Sequence, residues 1–295
     1  MMKEMDTNLN AEIRLWQEKL FKRSIRRARK LARIESLAGN TSNLQCLEVS
    51  SGDGVISTRL RSLGGSWKTV VSTKNAADSI GYGISEKTVL IENGKLSFDD
   101  NTFDMVVIVD ALKGIAADLD FIRECHRVLK PDGWVVISEE CRRPIGIVAL
   151  LQRLFGTFPV AKGAKRNGYT GSELYNILKD GFDVPETILY SNSLLESAAA
   201  FGEAIQKLII PEHYWMVREK AGQDELYRYR RLHALAGIAY PLLWILSKLE
   251  FLPGHKLLVK SRRRQWRPRT QPKLVDGRSI AEAAINTKIG TAAPF

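Results

Sequence analysis

Cysteine is scarce: Cys46, Cys125 and Cys141 are the only three in 295 residues, and no two of them have CxxC spacing. That excludes a disulfide scaffold and a zinc ribbon and fits a reducing compartment. Histidine is as sparse, with His126, His213, His233 and His255 scattered along the chain, so no metal site is expected. No apolar run reaches the roughly 20 residues that a membrane span needs. The longest uncharged apolar stretch, residues 234–247, has fourteen residues and contains Pro241. The amino-terminal MMKEMDTNLN has no apolar core, so no secretory signal is expected. With 44% hydrophobic and 26% charged residues the chain is ordinary for a globular protein, which excludes wholesale disorder.

Two stretches contain no acid. Residues 19–33 hold eight Lys/Arg and residues 256–273 another eight, more than the whole net charge of +11, so the body between them is mildly acidic. Basic attachments of this kind suit phosphate, of nucleic acid or of an anionic membrane surface, or are solvated faces.

Residues 11–37 predict one helix, with Ile13, Trp16, Leu20, Phe21, Ile25, Leu31 and Ile34 on a broad apolar face. From Leu44 onward, short apolar runs (44–49, 68–72, 88–91, 104–109 and 134–138) alternate with helix-length segments. This cadence implies an α/β, Rossmann-like, doubly wound and mostly parallel sheet, with an N-terminal basic helix and a helical C-terminal extension. Thr170 and Glu173 predict a capping box at the start of a helix. The expected organisation is a basic helix over 1–40, the α/β domain over 41–210, a helical and membrane-associating extension over 211–267, and a tail over 268–295.

Leu47-Glu48-Val49-Ser50-Ser51-Gly52-Asp53-Gly54 joins the first strand to a helix, where small residues let the backbone approach a ligand closely. Further on, LSFDDNTFD (96–104) leads into MVVIVDAL, IRECHRVLKPDG spans 122–133, and Gly181-Phe182 follows a helix. In order, these resemble the E/D-x-G-x-G-x-G turn, the LPFPDNSFD segment, the E-x-x-R-V-L-K-P-G-G passage and the AGF step of one group of enzymes. They are the class I S-adenosylmethionine-dependent methyltransferases of the ubiquinone/menaquinone-methyltransferase-like (type 11) subgroup.

The resemblance implies S-adenosylmethionine as cofactor. By position, Ser50, Ser51, Gly52 and Gly54 would line its methionine and ribose part, with Glu48 anchoring the turn or the donor's amino group. Ser72 ends the second strand where the family has a ribose-holding acid, Glu92 falls where it has an acid facing the adenine amine, and Asn93 adds a backbone contact. Asp110 would sit beside the transferring methyl. Two departures stand out: Ser50 replaces the first glycine of the turn, and Val71-Ser72-Thr73 carries no carboxylate. Loss of a carboxylate at a hydroxyl pair costs about 1.5–3 kcal/mol. On the acceptor side Glu139, Arg142 and Tyr169 are candidates, His126 reads as structural, and no general base is assigned.

Residues 234–247 are bracketed by YRYRR (227–231) and KSRRRQWR (260–267), as an interfacial anchor would be. A helix buried on the domain or in a dimer interface fits the same pattern. The resulting expectation is a methyltransferase acting on a lipophilic or lipid-linked small molecule, cytoplasmic and peripheral at the inner face of a membrane. Its rivals are a catalytically degenerate binding or scaffold protein and a sugar or RNA methyltransferase, the last short of stacking aromatics beyond Trp266. The tail 268–295 is expected to dock a protein partner or to strap its own domain.

Overall fold

The computed structural model describes residues 2–84, 86–92, 94–143, 145–184, 187–209, 221–249 and 251–267. Asn93 and the tail 268–295 lie outside the described residues. The N-terminal region is two helices rather than one: α1 (Met2–Arg23) and α2 (Ile25–Ala38) meet at Ser24, whose backbone (φ −97°, ψ 89°) leaves the helical region. The break gives each helix its own partner. Ile13 and Leu20 of α1 pack on Tyr229 of α9 (Ala221–Ser247), while Leu31, Ile34 and Ala38 of α2 pack on the sheet.

Eight strands form one sheet: β1 (Gln45–Ser50), β2 (Ser66–Val71), β3 (Val89–Leu90), β4 (Phe103–Val109), β5 (Leu129–Glu140), β6 (Phe182–Asp183), β7 (Thr187–Asn192) and β8 (Gly254–Arg263). Their order is β3-β2-β1-β4-β5-β8-β6, with β7 also paired to β8. Strands β1 to β5 are mutually parallel and β8 runs antiparallel to β5. The alternation of period two divides the core. Leu47, Val49, Val106, Ile108, Val135 and Ile137 face α5 (Asp118–Val128) and α7 (Gly171–Leu178), and Cys46, Val107 and Val136 face α2 and α3 (Gly54–Arg61). The capping box at the start of α7 is present, with Thr170 Oγ1 accepting from Glu173 N–H and the Glu173 carboxylate accepting from Thr170 N–H.

Strand β8 corrects the expected organisation. Residues 254–263 fall inside the segment assigned to an extension, yet they lie between β5 and β6/β7 within the sheet. Leu257, Leu258 and Val259 are each 1% exposed, the continuous burial of a strand covered on both faces. The basic residues around them looked like surface because their partners lie far away in sequence: Lys260 Nζ donates to Leu37 O at 2.7 Å, and Lys256 Nζ meets Glu140 Oε1 at 3.0 Å. Residues 234–247 are likewise the end of a longer helix, α9, whose first half packs along α1.

Candidate functional site

Strand order reverses between β1 and β4, and such switch points open a crevice at the carboxyl ends of the strands. The motif residues converge there. Glu48 is fully buried and anchors the turn internally: its carboxylate accepts from Ser57 Oγ at 2.6 Å and Thr69 Oγ1 at 3.0 Å, with Arg61 Nη1 at 3.4 Å. Burial raises its pKa against those contacts. It therefore ties α3 and β2 to β1, and the alternative contact with a donor's amino group is not needed to explain it.

Ser50 is buried and its hydroxyl accepts from Gly52 N–H at 3.3 Å, while Ser51 is exposed. Gly52 has φ +109°, a region that favours glycine, and a Cβ there would lie 3.0 Å from Ala76 Cα of α4 (Lys74–Gly81). A Cβ on Gly54 would lie 3.0 Å from Ser79 O, so both glycines let α4 pack directly on the turn. Asp53 caps α3 by accepting from Ile56 N–H, and its carboxylate pairs with Arg27 Nη2 at 2.6 Å.

Ser72, Thr73 and Glu92 are exposed along the same edge, with Glu92 bridged to Lys95. Ser72 Oγ is 3.9 Å from the position of a Cβ on Gly114, which brings the loop after β4 alongside the end of β2. Asp110 closes β4 in a left-handed conformation (φ +52°), donating its N–H to Ser138 O at 2.8 Å. Its carboxylate forms an ion pair with Lys30 of α2 and has Lys113 Nζ at 3.8 Å, while Oδ1 has no hydrogen-bond partner. Burial alone would raise this carboxyl, but Lys30, Lys113 and Lys256 outweigh it and hold it well below the usual range.

Beyond Asp110 lies a cavity of about 490 Å³, with Asp110, Glu140, Glu196 and Lys256 among its charged lining and α2, α8 (Ser193–Ile209) and α9 around it. The charged part is a network absent from the sequence reading. Arg26 Nη2 meets Glu196 Oε2 at 2.6 Å, Lys256 meets Glu140, and Lys113 Nζ is 3.6 Å from Glu139 Oε2. The basic run of α2 thus neutralises carboxylates of the site rather than standing free. A basic stretch has the same local pattern in either role, so no local signal could have found these partners.

Of the acceptor-side candidates, Glu139 and Tyr169 have internal roles. Glu139 is fully buried and its Oε1 accepts from Leu112 N–H at 2.6 Å. Tyr169 is 1% exposed and its hydroxyl donates to Leu112 O at 3.2 Å, so it supports the loop after β4. Arg142 pairs with Glu173 at the surface and lines a second cavity. His126 is structural: Nε2 lies 2.8 Å from Arg264 O, and the ring meets Phe182 and Trp266 edge-on.

Residues 47–137 match a family model described as a methyltransferase domain. The chain is 29% identical to a demethylmenaquinone methyltransferase of Staphylococcus aureus over 134 residues, covering 43% of this chain and 55% of that one. It is 32% identical over 103 residues to a ubiquinone/menaquinone biosynthesis C-methyltransferase of Coxiella burnetii, covering 32% and 41% respectively. The chain therefore spans about half the length of these curated relatives or less. A solved structure described as a putative methyltransferase from Bacillus halodurans superposes with a TM-score of 0.51 at 15% identity, covering 79% of this chain and 98% of that one, a likeness of fold. Residues 47–137, which that family model matches, lie within the observed sheet and form its methyltransferase domain.

Proposed function

We propose that the chain binds S-adenosylmethionine along the carboxyl ends of β1, β2 and β4 and transfers its methyl group to a lipophilic or lipid-linked small acceptor at a membrane surface. One observation carries the reading: Asp110 belongs both to the edge that holds the motif residues and to the lining of the adjoining cavity of about 490 Å³. Donor and acceptor sites so joined meet the requirement of in-line transfer that the reacting atoms be held together.

The residues of that edge fit the donor in kind. Gly52 and the buried Ser50 present close backbone, exposed Ser72 and Thr73 offer hydroxyls to a ribose, exposed Glu92 offers a carboxylate to an amine, and ionised Asp110 offers one to a cation. The donor supplies an electrophilic methyl. The chain supplies position and an apolar wall: Leu235, Ile238, Ala239 and Leu243 of α9 and Ala199 of α8 line the cavity.

The membrane part of the reading rests on exposed apolar side chains beside the cavity. Ile147, Leu150 and Leu154 of α6 (Ile147–Leu154) are 56%, 64% and 72% exposed, and Ile238, Leu242, Trp244 and Ile245 of α9 are at least half exposed. Among the described residues no helix is long and apolar enough to cross a membrane, which leaves seating at the interface. Arg153 and Lys248 beside these stripes suit anionic head groups.

A second reading, a binding protein that kept the fold without the chemistry, is favoured by the missing acid at Ser72 and by the lysines already on Asp110. Calorimetric titration with S-adenosylmethionine and S-adenosylhomocysteine separates the two. Micromolar binding by the wild type, tightened about tenfold or more in Ser72→Asp, supports the enzyme. Binding only in the variant supports the scaffold, and binding by neither overturns the donor site. Flotation with anionic and neutral vesicles tests the surface: no flotation with either removes the membrane from the proposal.

A further inference from the structure

After Glu140 the chain leaves β5 as Cys141-Arg142-Arg143 and, with α6, Asn167 and His255, encloses a cavity of about 340 Å³. Its charges are unevenly committed. The two carboxylates that line it are held elsewhere, Glu140 by Lys256 at 3.0 Å and Glu196 by Arg26 at 2.6 Å. Arg142 is paired to Glu173. Arg143 and Arg153 have no carboxylate partner among the described residues; Arg143 rests against the Cys141 thiol and its Nε is buried with no hydrogen-bond partner. A buried guanidinium nitrogen without an acceptor is costly, which marks the place where an acceptor belongs. His255 lines the same space, its pKa lowered by burial and by the neighbouring Arg143.

The cavity continues into an apolar surface. Val148 and Ala149 of α6 line it, while Ile147, Leu150 and Leu154 of the same helix form an exposed stripe at helical spacing. Two arginine forks and an imidazole offer more donors than the two oxygens of a carboxylate accept, and they match the three terminal oxygens of a phosphate monoester.

We propose that the cavity bounded by Arg143, Arg153 and His255 binds the phosphate head group of an amphiphile whose chain lies along the exposed stripe of α6. The site goes beyond methyl transfer and needs no donor to be detected, so its failure and the failure of the donor site are read in separate titrations.

The test is calorimetry of the full chain with dodecyl phosphate below its micelle concentration, with inorganic phosphate and dodecyltrimethylammonium as further arms. Dodecyl phosphate is expected to bind saturably and at least about 100-fold more tightly than inorganic phosphate, because the chain adds apolar burial. The ammonium amphiphile is expected not to compete. Arg143→Gln and Arg153→Gln should each weaken dodecyl phosphate by about tenfold or more without lowering the melting temperature, since neither arginine holds a carboxylate of the fold. Leu150→Asn should weaken dodecyl phosphate and leave inorganic phosphate unaffected. Absence of saturable binding, or equal affinity in the double arginine variant, overturns the site. Inorganic phosphate binding as tightly as dodecyl phosphate overturns the amphiphile.

Discussion

Glu140→Gln removes the counter-charge of Lys256 while keeping the side chain's shape. The two residues are register partners across β5 and β8, their charged atoms are 3.0 Å apart, and the Lys256 side chain is only 8% exposed. Burial would raise the Glu140 carboxyl, but Lys256 and Lys113 bring it down from 4.5 to about 2. A folded-state pKa below the unfolded one contributes stability that is present above the unfolded value and lost as pH falls through the folded one. A drop of that size is worth about 3 kcal/mol at pH 7 and about 1 kcal/mol at pH 3. Breaking a buried pair from one side costs a similar amount, about 3–5 kcal/mol. Urea unfolding at pH 7 should therefore show Glu140→Gln about 3 kcal/mol less stable than wild type, with the gap narrowing between pH 5 and pH 2. Adding Lys256→Met to the variant should recover part of the loss, because the stranded charge is gone. A variant within about 0.5 kcal/mol of wild type at pH 7, or a gap that stays constant down to pH 3, would refute the reasoning.

Gly52→Ala places a Cβ at φ +109° and 3.0 Å from the backbone of α4, so a loss of about 2 kcal/mol or more is expected in urea unfolding; wild-type stability would mean that α4 does not press on the turn. A chain ended at residue 253 lacks β8 and should show no cooperative unfolding transition by far-UV circular dichroism. Leu257, Leu258 and Val259 alone bury about 6 kcal/mol of apolar stabilisation, against a total of about 5–15 kcal/mol for a domain. A folded 1–253 chain would place the sheet's boundary before β8. Lys30→Met leaves Asp110 with only Lys113 and Lys256 and should raise the pH at which acid unfolding begins, since less of the carboxyl's depression remains; an unchanged acid midpoint would contradict the ion pair.

Local chemistry was readable from the chain. The cadence of β1 to β5 follows from apolar periodicity, the capping box from two side chains three residues apart, and the glycine turn from a backbone conformation that few other residues adopt. The assignment of Ser50, Gly52, Ser72, Glu92 and Asp110 to one edge of the sheet is implied by the family resemblance, position by position. What each side chain does there was less legible. Glu48 belongs to a motif, yet its role as an internal strut depends on Ser57, Thr69 and Arg61 reaching it from α3 and β2.

Tertiary structure alone decided the rest. An arginine-rich run has one appearance in sequence whether it is solvated or folded onto acids. Arg26 finds Glu196 across 170 positions, Lys30 finds Asp110 across 80, and Lys256 finds Glu140 across 116. In the same way, LLV at 257–259 became an interior strand because the edge of β5 receives it. Composition and periodicity record what a segment can do by itself. Which carboxylate a lysine neutralises, and which strand an apolar triplet completes, are set by long-range pairing in a low-dielectric interior, where an unpaired charge or an unpaired strand edge costs too much to leave.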